Sequence, residues 1–301
     1  MRRQPTFQLA LIVLLSCLLH SPVVSAQGGE RWFQVEVSIF TNENDADRNG
    51  ETWTPGAVPL RYPGTMSRLQ DLMDLLVIDD LLVSDTRATA AETQDDTNVV
   101  SLEDLIRSTG PMPPRPKGDF QFFDFARDAF VQLPPSESNF QQTNRAIERA
   151  AEHRLLYHAV WRQPVKGAAQ ATPLYIKGGL RYGSVNELQG DITIRFNPNA
   201  DRVVIDADLW LAEFSIVPDG SVNWSLPNIP ARVRRNFEQQ QNNDGLEYHI
   251  RRIYRLNESR DMRSTEFHYL DHPALGLVIL VEPYEVPPAP IFNDRPESAL
   301  Q

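Results

Sequence analysis

Residues 191–211 read DITIRFNPNADRVVIDADLWL. Ile192, Ile194 and Phe196 alternate with Asp191, Thr193 and Arg195. After Asn197-Pro198-Asn199-Ala200-Asp201, Val203, Ile205, Ala207, Leu209 and Leu211 alternate with Asp206 and Asp208. Two runs of period two, joined by a turn rich in Asn, Pro and Asp, predict an antiparallel hairpin with one buried face.

The flanking sequence extends the pattern. Arg154 to Val165 (RLLYHAVWRQPV) reads as a strand, and Pro164 ends it or places it at an edge. Pro173 to Lys177 is short and apolar. Gly245 to Asn257 shows period two through Tyr248, Ile250, Tyr254 and Leu256. Leu277 to Val281 reads as the last strand, before Pro283. Upstream, Phe33, Val35, Val37 and Ile39 alternate with Gln34, Glu36 and Ser38, which predicts a half-buried strand. Ser67 with Gln70 resembles a capping box before Leu69, Leu72, Met73 and Leu76, and Ser138 with Gln141 resembles a second. Phe140, Ile147 and Ala151 then share a helix face. Few helices separate the later strands, so parallel crossovers are disfavoured. The expectation is an α+β fold: a mainly antiparallel sheet with helices on one face.

The N-terminus reads as an address. Arg2 and Arg3 precede an apolar run from Leu9 to Leu19, and Val24-Ser25-Ala26 follows. That order is a secretory signal peptide over residues 1–26, cleaved before Gln27. Its apolar run is too short to span a bilayer, so no membrane span is expected in the mature chain. Leu14-Leu15-Ser16-Cys17 offers a rival reading as a lipoprotein box. Residues 27–285 are expected to form one α+β domain. Residues 84–118, acidic and then Pro-rich, read as a partly mobile insertion, and 286–301 as a loose tail.

Composition narrows the function. The chain has 301 residues and a net charge of −11, which becomes −13 without Arg2 and Arg3. Nucleic acid is not an expected partner, because phosphate contacts need clustered Lys and Arg. One cysteine rules out a disulfide scaffold or a Cys-based zinc site. There is no G-x-S-x-G elbow, P-loop, dinucleotide fingerprint or H-E-x-x-H. No cofactor is expected, and the protein reads as a non-enzyme.

Two blocks carry recognition chemistry. Arg260 to Gly276 (RDMRSTEFHYLDHPALG) contains Arg263, Glu266, His268, Tyr269, Asp271 and His272. Imidazoles and carboxylates of this kind could ligate a metal in a wall hydrolase; alternatively, Arg263 pairs with Glu266 and the histidines satisfy a loop. In the second block, Tyr157, Ala159 and Trp161 face one way on a strand, and His158 and Arg162 the other. Tyr157 and Trp161 either stack on sugar rings, with Arg162 holding a carboxylate, or belong to the core.

At these blocks the chain resembles the bacterial peptidoglycan-binding CsiV family. The matching pieces are Trp32-Phe33, Val35-Glu36-Val37 and Phe40; Leu155-Leu156-Tyr157-His158 through Trp161-Arg162-Gln163-Pro164; Gly190, Ile192 and Ile194; and Met262-Arg263-Ser264, Glu266, His268-Tyr269, Asp271-His272-Pro273 and Gly276. At Val204 to Leu209 the family suggests a basic, aromatic and His cluster, where this chain has VIDADL. The resemblance implies a periplasmic protein that binds peptidoglycan. It also implies support of a class A penicillin-binding protein through its activator lipoprotein. An adaptor that binds proteins without direct glycan contact is the alternative. A chain of −13 and a carboxylate-rich polymer repel at long range, so stacking and directed hydrogen bonds are expected to supply the attraction.

Overall fold

Strand β1 (Trp32–Asn42) lies inside the first of two sheets in a computed structural model that describes residues 30–50, 59–71, 123–218, 224–234 and 246–288. The chain separates into Met1–Glu30 and Arg31–Gln301, and the elements below belong to the second unit. The expected signal segment, the 84–118 insertion and the tail beyond residue 288 lie outside the described residues.

After β1 come a single helical turn, α1 (Asp45–Arg48), and a helix, α2 (Gln141–Arg149). The remaining strands are β2 (His153–Pro164), β3 (Lys166–Gly167), β4 (Leu174–Tyr182), β5 (Val185–Phe196), β6 (Val203–Ser215), β7 (His249–Met262), β8 (Phe267–Asp271) and β9 (Leu275–Tyr284). The first sheet runs β2-β1-β9-β8. The second runs β3-β5-β6-β7, with β4 also on β5. All named strand pairs are antiparallel except β3 with β5. The predicted hairpin is β5–β6, and its turn closes through Asn197 N–H to the Arg202 carbonyl at 3.0 Å.

The sheets pack face to face. Val35, Val37 and Ile39 of β1, Ala159 and Trp161 of β2, and Leu277, Ile279 and Val281 of β9 meet Leu188, Ile192 and Ile194 of β5, and Ile205, Ala207 and Leu209 of β6. Each buried aliphatic side chain of this kind contributes about 1.5–3 kcal/mol. Two glycines of the family-like pieces sit where a side chain has no room. Gly190 has φ +143°, and a Cβ there would run into the Asp208 carbonyl of β6; at Gly276 it would strike the Phe40 ring.

Three expectations are corrected. β1 is not half-buried: from Val35 to Thr41 both faces are covered, because α2 and the segment before it pack over Glu36 and Ser38. Ser67 and Gln70 do not start a helix. Each forms a lone β-bridge, to Leu174 and Val131, and the rest of that predicted helix lies outside the described residues. The Ser138–Gln141 capping box does not form: α2 has no side-chain cap, and a distant carboxylate instead anchors the segment that leads into it. The Glu36 carboxylate accepts from the amides of Asn139 (2.7 Å) and Phe140 (3.0 Å), just ahead of α2. Among the described residues α2 lies on the outer face of the first sheet and α1 is one turn after β1, so a helical layer over one face is not seen.

Candidate binding site

The strand reading of β2 is correct in its alternation, and the register pairs Trp161 with Val35 and Ala159 with Val37 across from β1. The inward row is core. Trp161 is 0% exposed, and its indole N–H donates to Gln163 Oε1 at 2.8 Å. It offers no face to a ligand, which corrects its candidacy for stacking. Tyr157 packs against the same core, and burial pushes its phenol well above the usual range. Arg162, on the outer face, is already committed. It donates to Gln34 (3.0 Å), the Phe125 carbonyl (2.9 Å) and Glu137 (2.8 Å), and its guanidinium lies 4.2 Å from the Tyr284 ring centre. These bonds fasten the loop before α2 to the sheet.

Beside Arg162, His158 Nε2 is 2.9 Å from Glu36 Oε1 and 3.4 Å from Ser138 Oγ. Serine, histidine and glutamate meet here, but not as a relay. Hydroxyl and carboxylate approach the same ring nitrogen, and Ser138 donates directly to Glu36 at 2.6 Å. A relay needs them on opposite nitrogens.

The Arg260–Gly276 block becomes the end of β7, a turn, strand β8 and the start of β9. The structure spreads its polar residues over a sheet edge. Arg263 and Glu266 are exposed and 3.9 Å apart, the weak pairing expected where the histidines satisfy a loop. His268 Nε2 lies 3.2 Å from the Arg263 carbonyl, and His272 Nδ1 accepts from the Ala274 amide at 3.1 Å. Both histidines therefore bond local backbone. Among the described residues no three His, Cys, Asp or Glu side chains gather as a metal site would require. Tyr269 stacks on Phe40 (6.2 Å, 5°) and donates to Asp271 at 2.7 Å; burial and that carboxylate raise its phenol pKa. Phe267 and Tyr269 are 62% and 45% exposed on the outer face of this edge strand, so β8 is the part of the two blocks that presents aromatic surface.

The VIDADL stretch holds charge on the outer face of the second sheet. Asp206 takes Arg195 at 2.5 and 3.0 Å, and Asp208 takes Arg255 at 2.6 Å through each oxygen. Asp191 lies opposite Asp208 in the ladder, and burial together with Asp208 lifts its carboxyl pKa to about 7.

A cleft of about 490 Å³, not anticipated from sequence, opens where α1, the start of β2, the β4–β5 turn region, the end of β6 and the start of β7 converge. Its charged lining is Asp45, Arg48, Arg154, Glu187, Glu213, Arg251 and Arg252. Arg154 is fixed by Glu187 (2.5 and 3.1 Å) and Glu43 (3.0 Å), which raise its pKa. Arg48 bonds Glu213 at 3.0 Å, and Tyr254 donates to the same Glu213 oxygen at 3.1 Å. Among the described residues Arg252 bonds neutral groups, Asn49 Oδ1 at 3.1 Å and the Tyr254 hydroxyl at 2.9 Å. Arg251 is exposed.

Neighbours in a strand point to opposite faces, so Arg251 and Arg252 would be expected to diverge. A β-bulge prevents this. Glu213 pairs with Arg252 while Phe214 pairs with Ile250, leaving Arg251 as the extra residue. The bulge also corrects the reading of β7 as unbroken period two. Ile250 joins the outer cluster of Trp210 and Ile253, whereas Tyr254 enters the inter-sheet core. A hint stood in the sequence: two adjacent arginines inside an otherwise alternating strand.

A family model described as "Peptidoglycan-binding protein, CsiV" matches residues 7–284, and the chain belongs to that family. No curated protein and no solved structure matches. Among the described residues no helix is long and apolar enough to cross a membrane.

Proposed function

We propose that this chain is a periplasmic, non-enzymatic peptidoglycan-binding accessory that supports a class A penicillin-binding protein in cell-wall synthesis, through that enzyme's activator lipoprotein. The observation that carries the reading is the family match from residue 7 to 284, under a description that names peptidoglycan. Export rests on the Arg2-Arg3, Leu9–Leu19 and Val24-Ser25-Ala26 order, with cleavage before Gln27. The partner enzyme and its lipoprotein rest on the resemblance of the β2 and β7–β8 blocks.

The surface offered for contact is the β8 edge. Phe267 and Tyr269 supply exposed rings, and Arg263, Glu266 and Asp271 supply polar groups around them. Co-sedimentation of the mature protein with purified sacculi tests wall binding. Pull-down with the synthase and its lipoprotein tests the second half. Retention by the lipoprotein with none on sacculi would replace this reading with that of a pure adaptor.

A further inference from the structure

Two cleft arginines stand apart in their partners. Arg48 and Arg154 each contact a glutamate, but Arg252 is held by an amide oxygen and a phenol, and Arg251 has no side-chain partner among the described residues. Both guanidinium groups line one cleft because a bulge adds a residue at Arg251. Bulges recur beside binding sites because they re-aim a side chain without breaking the sheet. Arg48 and Arg252 also lie 5.7 and 5.6 Å from the Tyr254 ring centre, so positive charge is gathered around one aromatic anchor. The lining sets four arginines against Asp45, Glu187 and Glu213, a slight local excess of positive charge in a chain of net charge −11, acting within the screening length of about 8–10 Å.

The chemistry of the lining selects the ligand. An Arg pair whose remaining donors have no partner among the described residues fits a carboxylate, because guanidinium forks match its two oxygens. Asp45, which has no side-chain partner among the described residues, and the Tyr182–Phe214 stack (4.5 Å) add an anionic and an apolar contact to the same wall. The size is in the range of small-ligand sites. In intact peptidoglycan the glycan strands carry no free carboxylate, since the lactyl groups of muramic acid are amidated by peptide. The free carboxylates, and the free amines that would suit Asp45, belong to the stem peptides.

We infer that the cleft binds a carboxylate of the peptidoglycan stem peptide between Arg251 and Arg252; this rests on the peptidoglycan-binding reading and deepens it. The recognition is of peptide rather than sugar, and it relieves the conflict between an acidic protein and an acidic wall by concentrating cations at one mouth. Directed ion pairing at short range is then added to the stacking and directed hydrogen bonds expected from sequence.

The test uses the mature protein and three probes: intact sacculi, the purified stem tetrapeptide, and that tetrapeptide with its carboxylates amidated. Calorimetry reads the peptides and co-sedimentation reads the sacculi. The expected result is retention on intact sacculi and binding of the free tetrapeptide, weakening by about tenfold or more on amidation and in Arg251→Glu. Arg251 is exposed and has no side-chain partner among the described residues, so this variant is expected to keep its thermal melt. Arg252→Gln is the second variant, checked by the same melt. Retention on intact sacculi with no tetrapeptide binding, or with equal tetrapeptide affinity in wild type and Arg251→Glu, would overturn the cleft and leave wall binding standing. Tetrapeptide binding that depends on Arg251, with no retention on sacculi, would uphold the cleft and overturn wall binding. Binding of neither would overturn both.

Discussion

Glu36 of β1 and His158 of β2 meet across the outer face of the first sheet at 2.9 Å, beneath the segment that leads into α2. The contact joins sequence positions 122 residues apart and lets one carboxylate order a helix entry. Glu36 is 1% exposed. Burial alone would push its carboxyl pKa up; the bonds from His158, Ser138 and the amides of Asn139 and Phe140 outweigh this and hold it below the ordinary value of 4.5.

Glu36→Gln is expected to cost about 1–3 kcal/mol at pH 7, since it weakens a charge-assisted network inside the fold. The folded-state pKa is depressed, so the wild-type advantage is full above 4.5 and is lost as pH falls through the folded value. Urea melts of both proteins between pH 3 and 7 should therefore converge at the acid end. A constant gap across that range would show that the ionised form is not what stabilises.

Trp161→Ala should destabilise the protein by about 3–5 kcal/mol, because it opens a cavity between the sheets. The same change would have little effect on the melt if the ring were a surface platform for sugars. Thermal or denaturant unfolding decides between these outcomes.

Asp191→Asn should raise stability at pH 8 and not at pH 4. The folded-state pKa is raised to about 7, from an ordinary 3.8, by burial first and by Asp208 next, against the favourable Arg255 and with Asp206 adding to the repulsion. The native state thus holds its proton more tightly, and stability declines as pH rises from about 4 to 7 and is level above that. Removing the charge should recover on the order of 1 kcal/mol at pH 8. An equal gain at both pH values would place the cause in shape or hydrogen bonding instead.

Gly190→Ala is expected to abolish soluble expression or to cost more than about 3 kcal/mol. The position combines φ +143° with a Cβ collision against the β6 backbone, where nothing flexible can yield. Gly276→Ala should be milder, since it meets the ring of Phe40 and not a main chain. Chemical melts of the two variants should keep that order.

Tyr269→Ala and Arg263→Ala test the β8 surface. Arg263 should leave stability within about 0.5 kcal/mol, as expected of an exposed side chain with a long, weak ion pair. Tyr269 should cost somewhat more through its stack on Phe40. Reduced retention on sacculi with melts otherwise kept would support the edge strand as a contact surface; unchanged retention of both would remove it.

The strands were legible because alternation is a local property. The run 191–211 announced its hairpin and Arg154–Val165 its strand, ended by Pro164, and Tyr157, Ala159 and Trp161 share one face of β2 as the alternation expects. The pieces that resemble the CsiV family were legible as well, although the sequence did not say what they do in the fold. Gly190 and Gly276 are needed for close approach of backbone and ring, and Glu36 for anchoring a distant segment.

What the tertiary structure decided depends on pairing. Whether β1 is covered on one face or two depends on where α2 lands, and Glu36 anchors the segment leading into α2 through the Asn139 and Phe140 amides. Whether Trp161 is a platform or core depends on the second sheet lying over it. The cleft is the furthest from sequence, because Arg48, Arg154, Glu187, Glu213 and Arg252 come from five separate segments. Period two predicts that Arg251 and Arg252 point apart. They line one cleft because β6 offers a single residue, Glu213, where β7 supplies two, and a bulge is defined by the partner strand as much as by its own sequence.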